Sequence, residues 1–129
     1  MEDASMICLD TNYLIQGLVA GAPESVQLVA WHASGESLIV SMPAWFEFLC
    51  GPVTPVQIAT MRGFLREIVN FGEAQAVEAA RLFNAVNRKR GLRVNAMIAA
   101  TATVGGARLA TSNRDDFALF VPHGLQLFA

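Results

Sequence analysis

The fold class is indicated by Met6-Ile7-Cys8-Leu9-Asp10-Thr11-Asn12, in which four apolar residues are followed directly by three polar ones. A short continuous apolar run is typical of a strand that is buried on both faces, as in a parallel sheet. The polar residue that follows such a strand lies at its carboxyl end, where α/β proteins bind their ligands. We therefore predict a first strand over Met6–Leu9 and place Asp10 at the functional edge.

The rest of the chain alternates helical and strand patterns. Apolar spacing, with proline at helix starts and glycine after helix ends, predicts helices over 13–20, 23–33, 43–49, 55–68, 73–89 and 94–104, and a short helix near 115. Apolar runs predict further strands over 37–41, 108–111 and 125–128. Strands separated by helices give an α/β fold, with a central parallel sheet of about four to five strands flanked by helices.

Length and composition fit one compact domain spanning residues 1–129. Hydrophobic residues make up 53% of the 129 and charged residues 16%, which is enough apolar surface to bury a core. No apolar run reaches the roughly 18 to 20 residues of a membrane helix. The chain begins Met-Glu-Asp, unlike a secretory signal. We expect a cytoplasmic protein with no membrane contact.

The cysteines and histidines do not form a recognisable site. Cys8 and Cys50 lie far apart in apolar surroundings, so we expect both to be reduced residues of the core. His32 and His123 have no neighbouring Cys, Ser or Asp. Zinc chemistry and a nucleophilic serine are therefore not expected.

The charge is unevenly distributed. The net charge of −2 argues against binding nucleic acid with the whole surface, yet four cations fall within six residues: Arg88, Lys89, Arg90 and Arg93. They indicate either a local basic patch or a solvated helix end whose cations complement the helix dipole.

The candidate functional residues at the carboxyl edge of the predicted sheet are carboxylates. The chain has neither the GxGxxG of a dinucleotide site nor the GxxxxGK[ST] of a phosphate-binding loop. Asp10 ends a strand, Glu47 lies among large apolar residues, and Asp115 and Asp116 follow the strand predicted over 108–111. Singly, each acid is explained by helix capping or by exposure to solvent. Together at one edge they would repel one another unless they shared a divalent cation.

The sequence resembles PIN-domain ribonucleases of the VapC toxin kind over essentially its whole length. Four blocks in order carry the resemblance: Leu9-Asp10-Thr11-Asn12, Glu47, Arg93-Val94-Asn95-Ala96-Met97-Ile98-Ala99-Ala100 and Thr111-Ser112-Asn113-Arg114-Asp115-Asp116-Phe117. The resemblance implies a PIN-like fold and a Mg²⁺-dependent endoribonuclease, with Mn²⁺ as a substitute, that cuts structured RNA such as tRNA. It also implies a cognate antitoxin and a homodimer.

Carried over residue by residue, the resemblance implies an acidic metal site with polar support. The metal-site and catalytic positions are Asp10, Glu47, Asn95 and Asp116. The supporting polar residues are Thr11, Asn12, Thr111 and Asn113, and the candidate RNA-binding cations are Arg88, Lys89, Arg90, Arg93 and Arg114. Asp115 fills a position that varies.

Asn95 departs from the family pattern, which has an acid at the start of this helix. An amide oxygen still coordinates a cation but brings no charge, so attraction for Mg²⁺ and activation of its water should weaken. Locally, Asn95 is equally explained as a helix cap. Two origins remain open: an Asp→Asn substitution made to allow production of a toxic nuclease, which the intact remaining blocks favour, or a natural loss of activity.

Two other functions compete with the nuclease. Asn95 suits an inactive PIN-like module that binds RNA or protein without cutting. A strand-terminal Asp10 also suits covalent phosphoryl transfer, but that chemistry calls for a second acid near Asp10 and a downstream lysine, and Asn12 and the single Lys89 fit it poorly.

Overall fold

A computed structural model describes residues 6–128, in which four parallel strands form one sheet. The strands are β1 (Met6–Leu9), β2 (Ser37–Ser41), β3 (Glu67–Val69) and β4 (Arg108–Ala110), in the order β3-β2-β1-β4. Leu9 pairs with Val40 on one side and with Ala110 on the other. Since β1 lies between two partners, the residue that follows it emerges near the middle of the carboxyl edge. The predicted α/β class and strand number are confirmed.

Helices flank the sheet, as predicted. They are α1 (Thr11–Gln16), α2 (Pro23–Ala33), α3 (Met42–Leu49), α4 (Pro55–Phe64), α5 (Glu73–Ala85), α6 (Arg93–Gly105) and α7 (Arg114–Ala118), followed by a 3-10 turn over Val121–His123. Prolines occupy the first turns of α2, α3 and α4, where the missing N–H costs no hydrogen bond. Thr54 and Gln57 complete a capping box that fixes the start of α4.

The fourth helix is shorter than predicted, and a strand follows it. Residues 65–68 were expected to continue α4, but Leu65 is extended, and the Arg66 N–H donates to the Leu38 carbonyl at 2.7 Å. The chain then pairs with β2 as β3, which the sequence did not indicate. The spacing of the apolar residues after Phe64 is compatible with a helix and with a strand. Pairing with β2 makes this segment a strand.

Further boundaries differ from the predictions. The helix expected over 13–20 spans Thr11–Gln16, because Asp10 caps its start and Gly17 takes the C-cap position. The helix expected to reach residue 89 ends at Ala85, because Asn87 and Arg88 adopt positive φ angles that a helix cannot contain. The strand expected over 125–128 is reduced to a bridge between Leu109 and Leu127. The Leu109 N–H donates to the Gln126 carbonyl, so this segment still covers the outer edge of β4.

The core is built on β1, whose last three residues are fully buried, Cys8 among them. Cys50 is exposed just beyond α3, so its predicted place in the core is wrong. Its position at the helix end, followed by glycine and proline, carries it to the surface. Phe46, within α3, is 65% exposed, so not every aromatic residue lies in the core. None of the helices in the described range is long and apolar enough to cross a membrane.

Candidate active site

Asp10 lies at the carboxyl end of β1 with only 2% of its surface exposed. Its Oδ1 accepts a hydrogen bond from the Tyr13 N–H at 2.9 Å, so it caps α1. Its Oδ2 accepts a hydrogen bond from the Thr111 hydroxyl. The helix-cap interpretation and the edge placement are therefore both right, and both oxygens are held in fixed directions.

Burial sets the electrostatics of this carboxylate. Removal from water raises the pKa of Asp10, and the negative charge of Glu24 raises it further, while the hydrogen bonds from Thr111 and Tyr13 oppose the rise. Burial, with the charge of Asp10, also raises the pKa of the Cys8 thiol to about 12. A bound cation would favour the ionised form of Asp10, so the pocket is better suited to a carboxylate paired with a positive ion than to a bare one.

Glu47 reaches the same edge from α3. The Ser41 hydroxyl accepts a hydrogen bond from the Ala44 N–H at 3.1 Å, which starts the helix directly after β2. Glu47 then lies on the second turn, and its Oε1 accepts a hydrogen bond from the Thr11 hydroxyl at 2.6 Å. This contact joins residues 36 positions apart and fixes one carboxylate oxygen. The Glu47 side chain is thus exposed but directed towards α1, the helix that Asp10 caps.

Asn95 lies in the first turn of α6. It is not the helix cap that local sequence also suggested, because the N-cap position belongs to Leu92 and no side-chain cap is present there. Asn95 and Ile98, three residues later, line the same cavity. The amide therefore occupies the place where the resemblance implied an acid, near the positive end of the helix dipole.

One open cavity of about 340 Å³ collects these side chains. Its polar wall consists of Asp10, Thr11, Asn12, Glu47, Asn95 and Asn113, and its apolar wall of Ile15, Ile98 and Phe117. The cavity lies at the carboxyl edge of the sheet. Three of the four positions implied for the metal site thus meet at one place, although they are separated by up to 85 residues.

Asp116 is one hydrogen bond away from that cavity. It lies in the first turn of α7, and its Oδ2 accepts a hydrogen bond from the Asn113 side chain at 3.1 Å. Asn113 itself lines the cavity. Within residues 6–128, no three His, Cys, Asp or Glu side chains lie close enough to hold a metal ion on their own. Asp116 therefore contacts a residue of the cavity wall but does not itself line the cavity.

The candidate basic residues are divided among different surroundings. The Arg93 guanidinium lies 5.7 Å from the centre of the Phe83 ring, and Arg88 and Arg93 line a cavity of about 260 Å³ between α5 and α6. Lys89 and Arg90 are exposed in the loop before α6. Arg114 donates to the Phe128 carbonyl at 3.1 Å. None of these cations lines the acidic cavity, and Arg93 is the nearest to Asn95 along α6.

Glu24 was missed by the sequence analysis, and its partner, Ser112, was named only as a member of the fourth block. Glu24 accepts a hydrogen bond from the Ser112 hydroxyl at 2.5 Å, across 88 positions of sequence. Glu24 follows Pro23 in the first turn of α2, a place where an acid is favoured by the helix dipole alone. No local pattern distinguishes it from an ordinary first-turn acid, because its proximity to the site arises only from the tertiary fold.

The donor set of the cavity fits a hard divalent cation. Carboxylate and amide oxygens are what Mg²⁺ prefers, and it commonly takes one or two protein carboxylates while keeping several waters. Asp10 and Glu47 supply two carboxylates, and Asn95 and Asn113 supply amide oxygens at the same wall. The absence of sulfur and imidazole from this wall disfavours zinc.

Comparisons with known proteins agree with this architecture. The PIN domain family matches residues 7–120, so the chain belongs to that family. Among solved structures, VapBC2 from Rickettsia felis bound to a promoter DNA fragment matches with a TM-score of 0.78 and 16% identity, covering 95% of this chain and 97% of that one. The PIN-domain resemblance is thereby confirmed, and the likeness to VapBC2 shows a shared fold.

Other structural matches are similar in kind. FitAcB from Neisseria gonorrhoeae matches with a TM-score of 0.71 and 22% identity, covering 96% of this chain and 97% of that one. A toxin–antitoxin complex from Klebsiella pneumoniae matches with a TM-score of 0.69 and 27% identity, covering 87% and 90%. No curated protein matches the chain.

Proposed function

We propose that this chain is a metal-dependent endoribonuclease toxin of the VapC kind, acting on structured RNA such as tRNA. The observation that carries the proposal is the meeting of Asp10, Glu47 and Asn95 in one polar cavity at the carboxyl edge of the sheet. PIN domains are generally nucleases, and this cavity lies where the fold binds ligands. The family's fold and the position of this cavity together support a phosphodiesterase site at this edge of the sheet.

The metal of this site would be Mg²⁺ or Mn²⁺, held by Asp10 and Glu47. When bound, such an ion polarises a phosphate and lowers the pKa of a bound water. The protein's own part is to hold the ligands: Thr111 fixes one oxygen of Asp10, and Thr11 fixes one oxygen of Glu47. Asp116, through Asn113, keeps a third negative charge beside the cavity.

Asn95 makes this a weak site. An acid at this position would add a negative charge where the ion binds, and the amide supplies only a dipole. The change from Asp to Asn is nearly isosteric, so it costs charge and leaves the fold intact. We infer that the chain as given binds the ion weakly and cleaves slowly.

The RNA is held, in this proposal, by cations outside the acidic wall. Arg88 and Arg93 form one cationic surface beside the start of α6, with Lys89 and Arg90 in the adjoining loop. Such residues contact phosphates and position the strand without reading its sequence. Arg114 is less suited to this role, because it is bound to the Phe128 carbonyl.

An RNA cleavage assay tests the proposal. Asn95→Asp should raise Mg²⁺-dependent cleavage of a panel of tRNAs and ribosomal RNA by orders of magnitude, and EDTA should abolish it. Asp10→Ala in the Asn95→Asp protein should abolish cleavage while the fold persists. A folded Asn95→Asp protein that binds Mn²⁺ and leaves the whole panel intact would contradict the nuclease and support the alternative, an inactive PIN-like module that binds RNA or protein.

An antitoxin partner is also proposed, and a second cavity supports it. This cavity, about 190 Å³, is lined mostly by apolar side chains and shares Ile15 with the acidic cavity. Its other apolar walls include Leu18, Phe48 and Val53. A partner segment with an apolar residue here and a basic one in the acidic cavity would complement both. The matched structures named above include complexes of toxin with antitoxin.

A homodimer is the remaining part of the proposal. A third cavity, about 350 Å³ and almost wholly apolar, lies on the other side of Glu47 between α3 and α6. Its lining residues are Met42, Pro43, Phe46, Glu47, Phe71, Val94 and Met97. Phe46→Ser should convert a dimer to a monomer in light scattering, whereas Val56→Ser, at a valine 74% exposed elsewhere, should not. A monomeric unmodified protein would contradict the dimer.

A further inference from the structure

Three consecutive residues after β4, here called the 111–113 loop, bond to three different elements. The contacts are Thr111 to Asp10 at the end of β1, Ser112 to Glu24 in α2, and Asn113 to Asp116 in α7. The Asn113 N–H also donates to the Thr111 hydroxyl oxygen at 2.8 Å. The loop therefore carries side chains that bond to Asp10 and Asp116, two of the carboxylates implied for the metal site.

Glu24 is the only one of these three partners that no part of the proposed mechanism uses. It lies half-buried in the first turn of α2, and α2 is anchored in the core by Leu28 and Trp31. Ser112 is exposed, so nothing in its own burial holds it in place. The Glu24 charge also contributes to the raised pKa of Asp10, which places it within electrostatic reach of the site.

We propose that Glu24 is a positioning residue of the metal pocket, which holds the 111–113 loop through Ser112 so that Thr111 and Asn113 keep Asp10 and Asp116 in place. The inference rests on the proposed metal-dependent function. Glu24 contacts neither the ion nor the RNA in this role. Its effect is transmitted by a hydrogen bond.

The layout of the loop explains why this bond matters. The Asn113–Asp116 contact ties the end of the loop to the start of α7, which Phe117 anchors in the core. Thr111 holds the loop at one point only, at its junction with β4. The Ser112–Glu24 bond holds the middle of the loop, between Thr111 and the start of α7, to a separate element. Without it, the middle of the loop loses its contact with α2, and Asn113 shifts relative to the cavity.

Metal affinity and amide exchange test the inference together. In the Asn95→Asp protein, Glu24→Ala and Ser112→Ala should each weaken Mn²⁺ binding in calorimetry by roughly 10-fold, the lower end of the range for residues that support metal ligands. The double variant should be no weaker than either single one. Glu24→Gln, which still accepts a hydrogen bond from Ser112, should bind Mn²⁺ much as its parent does.

The exchange measurement needs no metal and uses the chain as given. The Asn113 amide is protected by its bond to Thr111, so its exchange should accelerate in Glu24→Ala and return to the original rate in Glu24→Gln. Glu73→Ala is the matched control, because Glu73 is an exposed first-turn acid of α5 and shares only the helix-dipole effect. It should change neither readout.

Two results would overturn the inference. If Glu24→Gln is as damaging as Glu24→Ala while Ser112→Ala is silent, the charge of Glu24 acts and the bond does not. If Asn113 exchange is the same in every variant, the loop is not held by Glu24. Absence of Mn²⁺ binding in the Asn95→Asp parent would instead count against the proposed function, because the exchange rates report on the loop contact without an ion.

Discussion

Replacing Thr111 with valine removes the hydroxyl that links Asp10 to the 111–113 loop while keeping the side-chain shape. That hydroxyl donates to the buried carboxylate of Asp10 and accepts from the Asn113 N–H. A hydrogen bond to a charged group contributes about 1.5–3 kcal/mol and a neutral one about 0.5–1.5 kcal/mol. Thr111→Val should therefore lower the free energy of unfolding by about 2–4 kcal/mol near pH 7.

Urea denaturation monitored by tryptophan fluorescence measures this loss, with an unchanged m-value as the sign that only stability has changed. Thr101→Val is the matched control. Thr101 is equally buried, but its hydroxyl only donates to the Met97 carbonyl within its own helix, so its loss should be small. The loss of about 2–4 kcal/mol expected for Thr111→Val is a large share of the 5–15 kcal/mol free energy of unfolding that is typical of a domain.

The pH dependence of this loss has a definite sign. The Thr111 hydrogen bond favours the ionised form of Asp10, so removing it raises the pKa of Asp10 still further. The advantage of the unmodified protein is therefore present above the Asp10 pKa and shrinks as pH falls through it. A loss below about 0.5 kcal/mol at pH 7, or a loss that does not shrink in acid, would refute the assignment of Thr111 as the partner of a buried charge.

Three further predictions follow from burial and backbone geometry. Asp10→Asn should become more stable relative to the unmodified protein as the pH rises from acid to 7, because the raised pKa of Asp10 means that its ionised form destabilises the fold above that pKa; thermal unfolding that shows the same difference between the two proteins at pH 7 and in acid would contradict the raised pKa. Cys50 should react with a thiol reagent in the native protein, while the buried Cys8, with a pKa of about 12, should react only after unfolding; equal rates in the native state would contradict the assigned burial. Arg88→Gly should leave stability unchanged or higher, since Arg88 has a φ of 55°, and should weaken RNA binding in low salt; a clear loss of stability would show that the side chain has a structural role.

The parts of the fold that were predictable are those set by local signals. The apolar run that ends at Asp10 predicted β1. Pro23 and Gly35 predicted where α2 begins and ends. The run after Phe64 suits a helix as well as a strand, and only the hydrogen bond from Arg66 to Leu38 decides it. Asn87 and Arg88 have positive φ angles and likewise end α5. Because neither is a glycine, the sequence does not mark this helix end.

The candidate site likewise contains residues that motifs in the sequence identified and a residue that only the tertiary fold revealed. Asp10, Glu47 and Asn95 were identified from motif blocks, and the structure brings them to one cavity. Asp116 was placed among the ligands, yet its observed contact is with Asn113, because the short α7 sets its direction. No motif or spacing in the sequence identified Glu24 as a residue near the site. Its relation to the site depends on how α2 packs beside the loop after β4, which no spacing in the sequence encodes.

Calorimetric titration with Mn²⁺ tests most directly the central claim, that the cavity holds a divalent ion and that Asn95 weakens it. At about 4 Å, one added unit charge attracts a divalent ion by about 2 kcal/mol in water and about 8 kcal/mol near a protein surface, so Asn95→Asp should tighten binding at least about 30-fold. The chain as given should bind weakly, and Asp10→Ala in the Asn95→Asp protein should abolish binding. Tight binding that is unchanged by Asn95→Asp would contradict the account, because it would place Asn95 outside the ligand set.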